Sequence, residues 1–363
     1  MEKMQVETIH KIIQADSCNM EEITDASVHL VVTSPPYPMI EMWDDLFFDK
    51  NENIMLALST QKTKLAFELM HKELEKTWSE ICRVVCDGGF VCINIGDATR
   101  TIDKNFALYS NHSHIINYFT SHGFVNLPNI IWRKQTNAPN KFMGSGMLPA
   151  GAYVTLEHEW ILIFRKSGKR LFKTAEEKLR RKKSAFFWEE RNCWFSDVWD
   201  NIKGLKQNIQ NKNSRTRTAA FPIEIPYRLI NMYSLHGDTV LDPFLGTGTT
   251  AIAAIISNRN SVGYEIDKSF ADISANNCAD LPVHVANNII EDRIRKHRDF
   301  IESYKRKPSY HCNNLNLNVM TSQETEINFM YLKSIRRKEF NILSAEYSNT
   351  KDNVVPAQRD FDF

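Results

Sequence analysis

The sequence predicts an α/β protein: a doubly wound, mostly parallel sheet that carries a basic insert. Three observations support this. Short apolar runs recur at His29–Thr33, Gly89–Ile95, Asn129–Trp132, Trp160–Phe164, Thr239–Asp242 and Ser261–Tyr264, bounded by polar or Gly-rich turns. Helical periodicity fills several of the intervals, and strands alternating with helices build parallel sheets covered on both faces. The charge is uneven: residues 165–217 hold 16 Lys/Arg against 6 Asp/Glu in a chain whose net charge is only +1. With 363 residues, 42% of them apolar, the chain can bury one large or two medium cores.

The opening residues, MEKMQVETIHKIIQAD, hold no long apolar segment, and no run approaches the length of a membrane span. A reducing, cytoplasmic setting without membrane contact is expected. Seven scattered cysteines without a CxxC pair support neither a disulfide framework nor a zinc ribbon, and no metal is expected. The strand Leu30–Thr33 must stop at Ser34-Pro35-Pro36-Tyr37, because proline cannot donate to a sheet ladder. Such a stop makes either a sharp turn or a pocket for something flat and polar. Residues 64–86 put Leu65, Leu69, Trp78, Ile81 and Val85 on one helical stripe, with Cys82 and Cys86 read as core packing. Helical patterns follow at His112–His122, Pro222–Ser234 and Thr249–Ser257. Residues 135–152 are Gly-rich with few charges and predict a mobile loop. The basic run interleaves Phe186, Phe187, Trp188, Trp194 and Phe195, which suits a polyanion-facing lobe better than a merely solvated face. Beyond Val283, Ile290, Ile294, Ile301 and Tyr304 share one face of a charged helix that docks on the core. The last sixty residues are rich in Asn, Lys and Ser, give no chemical signal and predict partial disorder.

The most informative stretch is GDTVLDPFLGTGTTAIAAIISNRNSVGYEID, residues 237–267. It reads as strand, glycine loop, helix and a second strand closing on an acid. Gly246 and Gly248 let backbone approach a ligand, Thr249 can cap the helix whose free N–H groups face it, and Glu265 stands where an acid bonds ribose hydroxyls. Two cofactors compete. A dinucleotide site wants a third glycine where Ala251 stands, and Asp242 before the loop repels a pyrophosphate. S-adenosylmethionine carries an ammonium and a sulfonium and no phosphate, so the acid favours it.

DPFLGTGTT (242–250) with VGYEID (262–267) resembles the cofactor motif of amino-group DNA methyltransferases, and TSPPY (33–37) resembles their catalytic motif. QADS (14–17), HEWILIFRK (158–166), SDVWD (196–200) and AFPIEIPYRLI (220–230) resemble further family segments. The catalytic motif precedes the cofactor motif, as in the β-ordered group, and the resemblance covers about residues 10–280. It implies a Rossmann-like S-adenosylmethionine-dependent methyltransferase fold. Residues 10–164 would form its catalytic part and 165–217 a target-recognition insert. Residues 218–282 would form the cofactor-binding part and 283–363 a C-terminal helix and tail. Cofactor contacts are then expected from Asp16, Asp242, Pro243, Phe244, Gly246, Gly248, Thr249, Thr250 and Glu265, with Phe221 or Phe244 facing the adenine ring. Arg180, Arg181, Lys182, Lys183, Arg215 and Arg217 would neutralise DNA phosphates, and polar side chains in 203–217 would read base edges.

The resemblance also implies a flat ligand, a nucleobase with an exocyclic amine. Its lone pair is delocalised into the ring until acceptors draw on its N–H groups; Ser34 Oγ and the Pro35 carbonyl are the expected acceptors. Pro35 and Pro36 hold them in place, and Tyr37 stacks on the flipped base. No cysteine lies beside this turn, which excludes ring-carbon methylation of cytosine through a thiolate. Ser34 at the head of the tetrapeptide leans toward cytosine N4, with adenine N6 the alternative. His158 reads as structural, and Asp197 and Trp199 as packing at the lobe junction, with DNA contact the alternative. The partner expected is double-stranded DNA, in a prokaryotic monomer or weak dimer functionally paired with a restriction nuclease. An RNA or protein amide methyltransferase and a DNA-binding regulator without catalysis are the rival classes.

Overall fold

The computed structural model describes residues 5–134, 143–203 and 221–349. They build around one 11-stranded sheet. In chain order its main strands are β1 (Gln5–Gln14), β2 (Val28–Thr33), β3 (Val85–Ile95), β4 (Ile130–Arg133) and β5 (His158–Lys166). β6 (Val198–Trp199), β7 (Thr239–Asp242), β8 (Asn260–Glu265), β9 (Tyr331–Glu339) and β10 (Ile342–Ser348) follow. Across the sheet they lie in the order β6-β4-β5-β3-β2-β7-β8-β1-β10-β9, with Phe124–Asn126 also paired to β5. The five central strands, β3-β2-β7-β8-β1, are mutually parallel. β5 runs against β3 and β4, and β10 runs against β1.

Chain direction explains where a ligand can sit. From β2 the chain moves outward to β3; from β7 it moves the opposite way to β8. The reversal leaves a crevice at the carboxyl ends of β2 and β7, the place where doubly wound sheets bind ligands. The strands there are apolar without alternation because both faces are covered. Leu30 and Val32 point into one core layer with Val240, while Val31 points into the other with Val91 and Leu241.

Besides two short helices at Asp44–Lys50 and Glu52–Ser59, the described helices are α1 (Thr63–Val84), α2 (Asn111–Ser121), α3 (Ala175–Lys183), α4 (Trp188–Trp194), α5 (Glu224–Tyr233), α6 (Thr249–Ile256), α7 (Lys268–Ala279) and α8 (Val283–Ser303). α1 buries Ala66, Met70, Leu74, Trp78 and Ile81, a stripe of i, i+4 and i+3 steps. Leu65, expected on that stripe, is 47% exposed. The helix also ends at Val84, so Cys82 is helical while Cys86 belongs to β3.

Two expectations change. The described part of the basic insert is not a separate lobe. α4 packs on α8, with Phe187 stacked on His297 at 3.8 Å and Glu190 paired to Arg293 at 2.6 Å. α3 lies at the amino ends of the parallel strands, tied to Asp238 just before β7. The residues after α8 are also more structured than their composition suggests. Tyr310–Cys312 pairs with Leu317–Val319, and β10 adds to β1 over Gln5–Lys11, burying Leu343, Ala345 and Tyr347. Among the described residues no helix is long and apolar enough to cross a membrane.

Candidate active site

Four neighbouring parallel strands end side by side, and each ends on a residue singled out by the sequence: Ser34 after β2, Asp242 in β7, Glu265 in β8 and Asp16 after β1. The two principal motifs touch directly. Thr33 Oγ1 donates to Asp242 Oδ1 at 2.6 Å, and Thr250 Oγ1 donates to Asp242 Oδ2 at 2.6 Å. The Phe244 N–H adds a third bond to Oδ1 at 3.1 Å. Asp242 is only 3% exposed, and burial pushes its carboxyl up to about 6, against the pull of the two threonine hydroxyls. Its oxygens hold β2, β7 and α6 together. The sequence suggested a carboxylate facing a cationic ligand; the structure makes Asp242 the joint between the motifs instead.

The glycine loop has the geometry its sequence requires. Gly248 is the N-cap of α6 at φ +91°, and a Cβ there would fall 2.5 Å from Ser274 Oγ. Thr249 is therefore the first helical residue and makes no cap, while Thr250 serves Asp242. Gly246, at φ +55°, donates its N–H to Glu265 Oε2 at 2.8 Å, and a Cβ on it would project into open space. Glu265 Oε1 accepts the Asp267 N–H at 2.9 Å, and burial raises this carboxyl above its ordinary value. Asp16 Oδ2 pairs with Lys50 at 2.5 Å and Oδ1 accepts the Cys18 N–H at 3.0 Å. Burial would raise the Asp16 carboxyl, but these partners hold it below the usual range. Pro243 is buried, Phe244 sets its ring edge-on to Trp78 at 5.9 Å, and Phe221 is buried in the core.

The Ser34–Tyr37 turn is anchored by residues the sequence did not flag. Pro35 and Pro36 are buried, and Ser34 and Tyr37 are half-buried. Ser34 Oγ lies 3.1 Å from the Tyr37 hydroxyl, which donates to Glu159 Oε2 at 2.9 Å. Asn94 Nδ2 donates to both the Tyr37 oxygen, at 2.8 Å, and Glu159 Oε2, at 2.7 Å. Burial, reinforced by the Glu159 charge, keeps the Tyr37 phenol protonated well beyond its ordinary range. The Tyr37 ring lies against Gly96, where a Cβ would come within 3.0 Å of it. Asn111 Nδ2 bonds the carbonyls of Pro38 and Gly96, pinning the exit of the turn to the end of β3. His158 packs edge-on to Trp160 at 5.2 Å. Trp199 is buried with its Nε1–H on the Trp194 carbonyl, whereas Asp197 is exposed and joins the sheet edge only through its backbone carbonyl, which accepts from Ile131.

The predicted phosphate contacts divide. Arg180 Nη2 is held by Asp238 at 2.5 Å, and Arg181 lies over the Phe172 ring at 4.8 Å. Lys182 and Lys183 share their helix. Asp238 stands at the amino end of β7, roughly 13 Å of strand from Asp242. α3 is thus at the end of the sheet away from the crevice, where Arg180 shares the Asp238 carboxylate with Arg170. Arg215 and Arg217 lie outside the described residues, as does most of the 135–152 loop.

Residues 28–276 match the family model described as DNA methylase, the N6/N4 group. The chain belongs to this family of DNA methyltransferases. It is 51% identical over 351 residues to the Type II methyltransferase M.MthZI of Methanothermobacter thermautotrophicus, covering 96% of this chain and 98% of that one. It is 53% identical over 284 residues to the Type II methyltransferase M.MjaI of Methanocaldococcus jannaschii, covering 75% and 92%. The structure is similar to TTHA0409 of Thermus thermophilus in complex with S-adenosyl-L-methionine, with TM-score 0.58 and 31% identity over 75% of this chain and 93% of that one. The fold is that of S-adenosylmethionine-dependent methyltransferases, and S-adenosyl-L-methionine is the cofactor. The site fits it: open space stands over Gly246, and the Glu265 and Asp16 carboxylates flank the loop with no phosphate-binding lysine in it.

Proposed function

We propose that this chain is a Type II DNA methyltransferase that methylates the N4 amine of cytosine in duplex DNA after flipping the base. The observation that carries the reading is the Thr33–Asp242 bond, which brings Ser34 to the edge of the glycine loop. S-adenosyl-L-methionine, when bound, supplies the methyl group; Gly246, Gly248, Glu265 and Asp16 are the residues proposed to hold it, with Pro243, Phe244, Thr249 and Thr250 shaping the loop. Ser34 Oγ and the Pro35 carbonyl accept the two N–H bonds of the target amine and localise its lone pair on nitrogen. Pro35 and Pro36 keep these oxygens from rearranging, so the acceptors are in place before the base arrives. Ser34 supports cytosine because a neutral hydroxyl is acceptor enough for that amine.

DNA approaches the carboxyl ends of the strands. β6 runs parallel to β4, which shares the direction of β3, so the chain after Trp199 leaves the sheet on the crevice side. Lys203 and the segment carrying Arg215 and Arg217 follow directly, and these take over the phosphate contacts once assigned to α3. Pairing with a restriction nuclease is supported by the Type II names of the similar methyltransferases. Incubation with methyl-labelled S-adenosylmethionine and duplex DNA, followed by nucleoside analysis, tests all of this. N4-methylcytosine is expected; N6-methyladenine would transfer the reading to the other amine, and label in RNA or protein alone would end it.

A further inference from the structure

Ser34 carries one proton and two lone pairs, so its usefulness as an acceptor depends on where its own proton points. Four neighbours settle this. Glu159, as a carboxylate, can only accept, and three donors converge on it: Tyr37 O–H at 2.9 Å, Asn94 Nδ2–H at 2.7 Å and Lys134 Nζ at 2.8 Å. With its proton committed to Glu159, the Tyr37 oxygen must accept from its other neighbours. Asn94 Nδ2 donates to it at 2.8 Å, and Ser34 Oγ, 3.1 Å away, can bond to it only by donating. The Ser34 proton therefore points back into the protein, and its lone pairs face the crevice.

We infer that Glu159, on the strand two places from the catalytic one, is a positioning residue that fixes the hydrogen-bond direction of the Asn94–Tyr37–Ser34 chain and so keeps Ser34 an acceptor. This rests on the reading that Ser34 accepts a bond from the target amine. Glu159 reaches Ser34 through the Tyr37 hydroxyl. Lys134 contributes by occupying the second carboxylate oxygen, which locks the carboxylate's orientation.

Glu159→Gln tests it by replacing one acceptor oxygen with a donor. Lys134 has only donors and will claim the amide oxygen, which turns the NH₂ toward Tyr37 and Asn94. The Tyr37 proton must then turn to Ser34, and the Ser34 proton is pushed toward the substrate amine. Turnover should fall about a hundredfold, the usual loss when one preorganised polar contact is reversed. Affinities for S-adenosylmethionine and DNA should stay within about twofold. Adding Lys134→Met frees the amide to turn its oxygen to Tyr37 and should restore most of the turnover. In a Tyr37→Phe background, Glu159→Gln should cost almost nothing further. Parental turnover in Glu159→Gln overturns the inference, as does a loss that Lys134→Met does not relieve or that adds fully to Tyr37→Phe. If Glu159→Gln does not fold, Tyr37→Phe alone carries the test: the same loss of turnover at unchanged cofactor affinity is expected, and unimpaired turnover overturns the inference. Ser34→Ala separates the two levels, since full turnover there overturns the role of Ser34 itself. Loss in Ser34→Ala with full turnover in Glu159→Gln overturns Glu159 alone.

Discussion

Thr33→Val removes a single oxygen from the joint between the motifs. Thr33 is fully buried, and its hydroxyl supplies one of the three bonds on Asp242. A bond to an ionised acceptor is worth about 1.5–3 kcal/mol and one to a neutral acceptor about 0.5–1.5 kcal/mol. The valine methyl returns about 0.8 kcal/mol of burial. Which figure applies depends on pH. Burial raises folded Asp242 to about 6, whereas an unfolded aspartate titrates near 3.9, as a rough reference. A raised folded value means that the contribution of Asp242 to stability is fully present below about pH 4, is lost as pH rises through about 6, and is flat above. At pH 4 the carboxyl is neutral and the valine variant should be nearly as stable as the parent. At pH 8 the bond is charge-assisted and the deficit should be about 1–2 kcal/mol. Urea denaturation followed by tryptophan fluorescence at the two pH values reads this directly. A deficit that is the same at pH 4 and pH 8, or none at pH 8, would refute the reasoning.

Other perturbations separate cofactor contacts from scaffold. Gly246→Ala meets no neighbour, so only its left-handed backbone resists, costing about 1–2 kcal/mol; the new Cβ enters the cofactor space, and calorimetry should show at least tenfold weaker S-adenosylmethionine binding. Asp242→Ala strands three donors and should cost about 3 kcal/mol of stability together with cofactor affinity; native affinity by calorimetry would contradict its part in shaping the loop. Neutralising Arg215 and Arg217 together should reduce the slope of log DNA affinity against log salt by about 1.8. Neutralising Arg181 and Lys182, on the helix at the amino ends of the strands, should leave that slope unchanged, and the opposite pattern would return the phosphate contacts to α3.

What the sequence made legible was local. The glycine loop and the proline-stopped strand carry their chemistry in consecutive residues, and a parallel sheet with a reversal between β2 and β7 is the architecture that brings them together. Glu159 was not legible, because it looks like the polar start of an apolar strand. Only the insertion of β5 beside β3 brings it to Tyr37, across 122 positions of chain. The placement of the α3 cluster was not legible for the complementary reason. Four consecutive basic residues read as a polyanion site, yet the turn after β5 delivers them to the end of the sheet away from the crevice, where Arg180 meets Asp238. The last strands were hidden by composition. β10 is stabilised by pairing with β1 at the other end of the chain, a partner no local pattern reveals.

Nucleoside analysis of duplex DNA methylated by the parent and by Ser34→Ala, each with its cofactor affinity measured alongside, tests the central claim most directly. N4-methylcytosine is expected from the parent, and from Ser34→Ala near-parental cofactor binding with turnover lower by orders of magnitude. Methyl on a ring carbon, or a Ser34→Ala enzyme as fast as the parent, would contradict it.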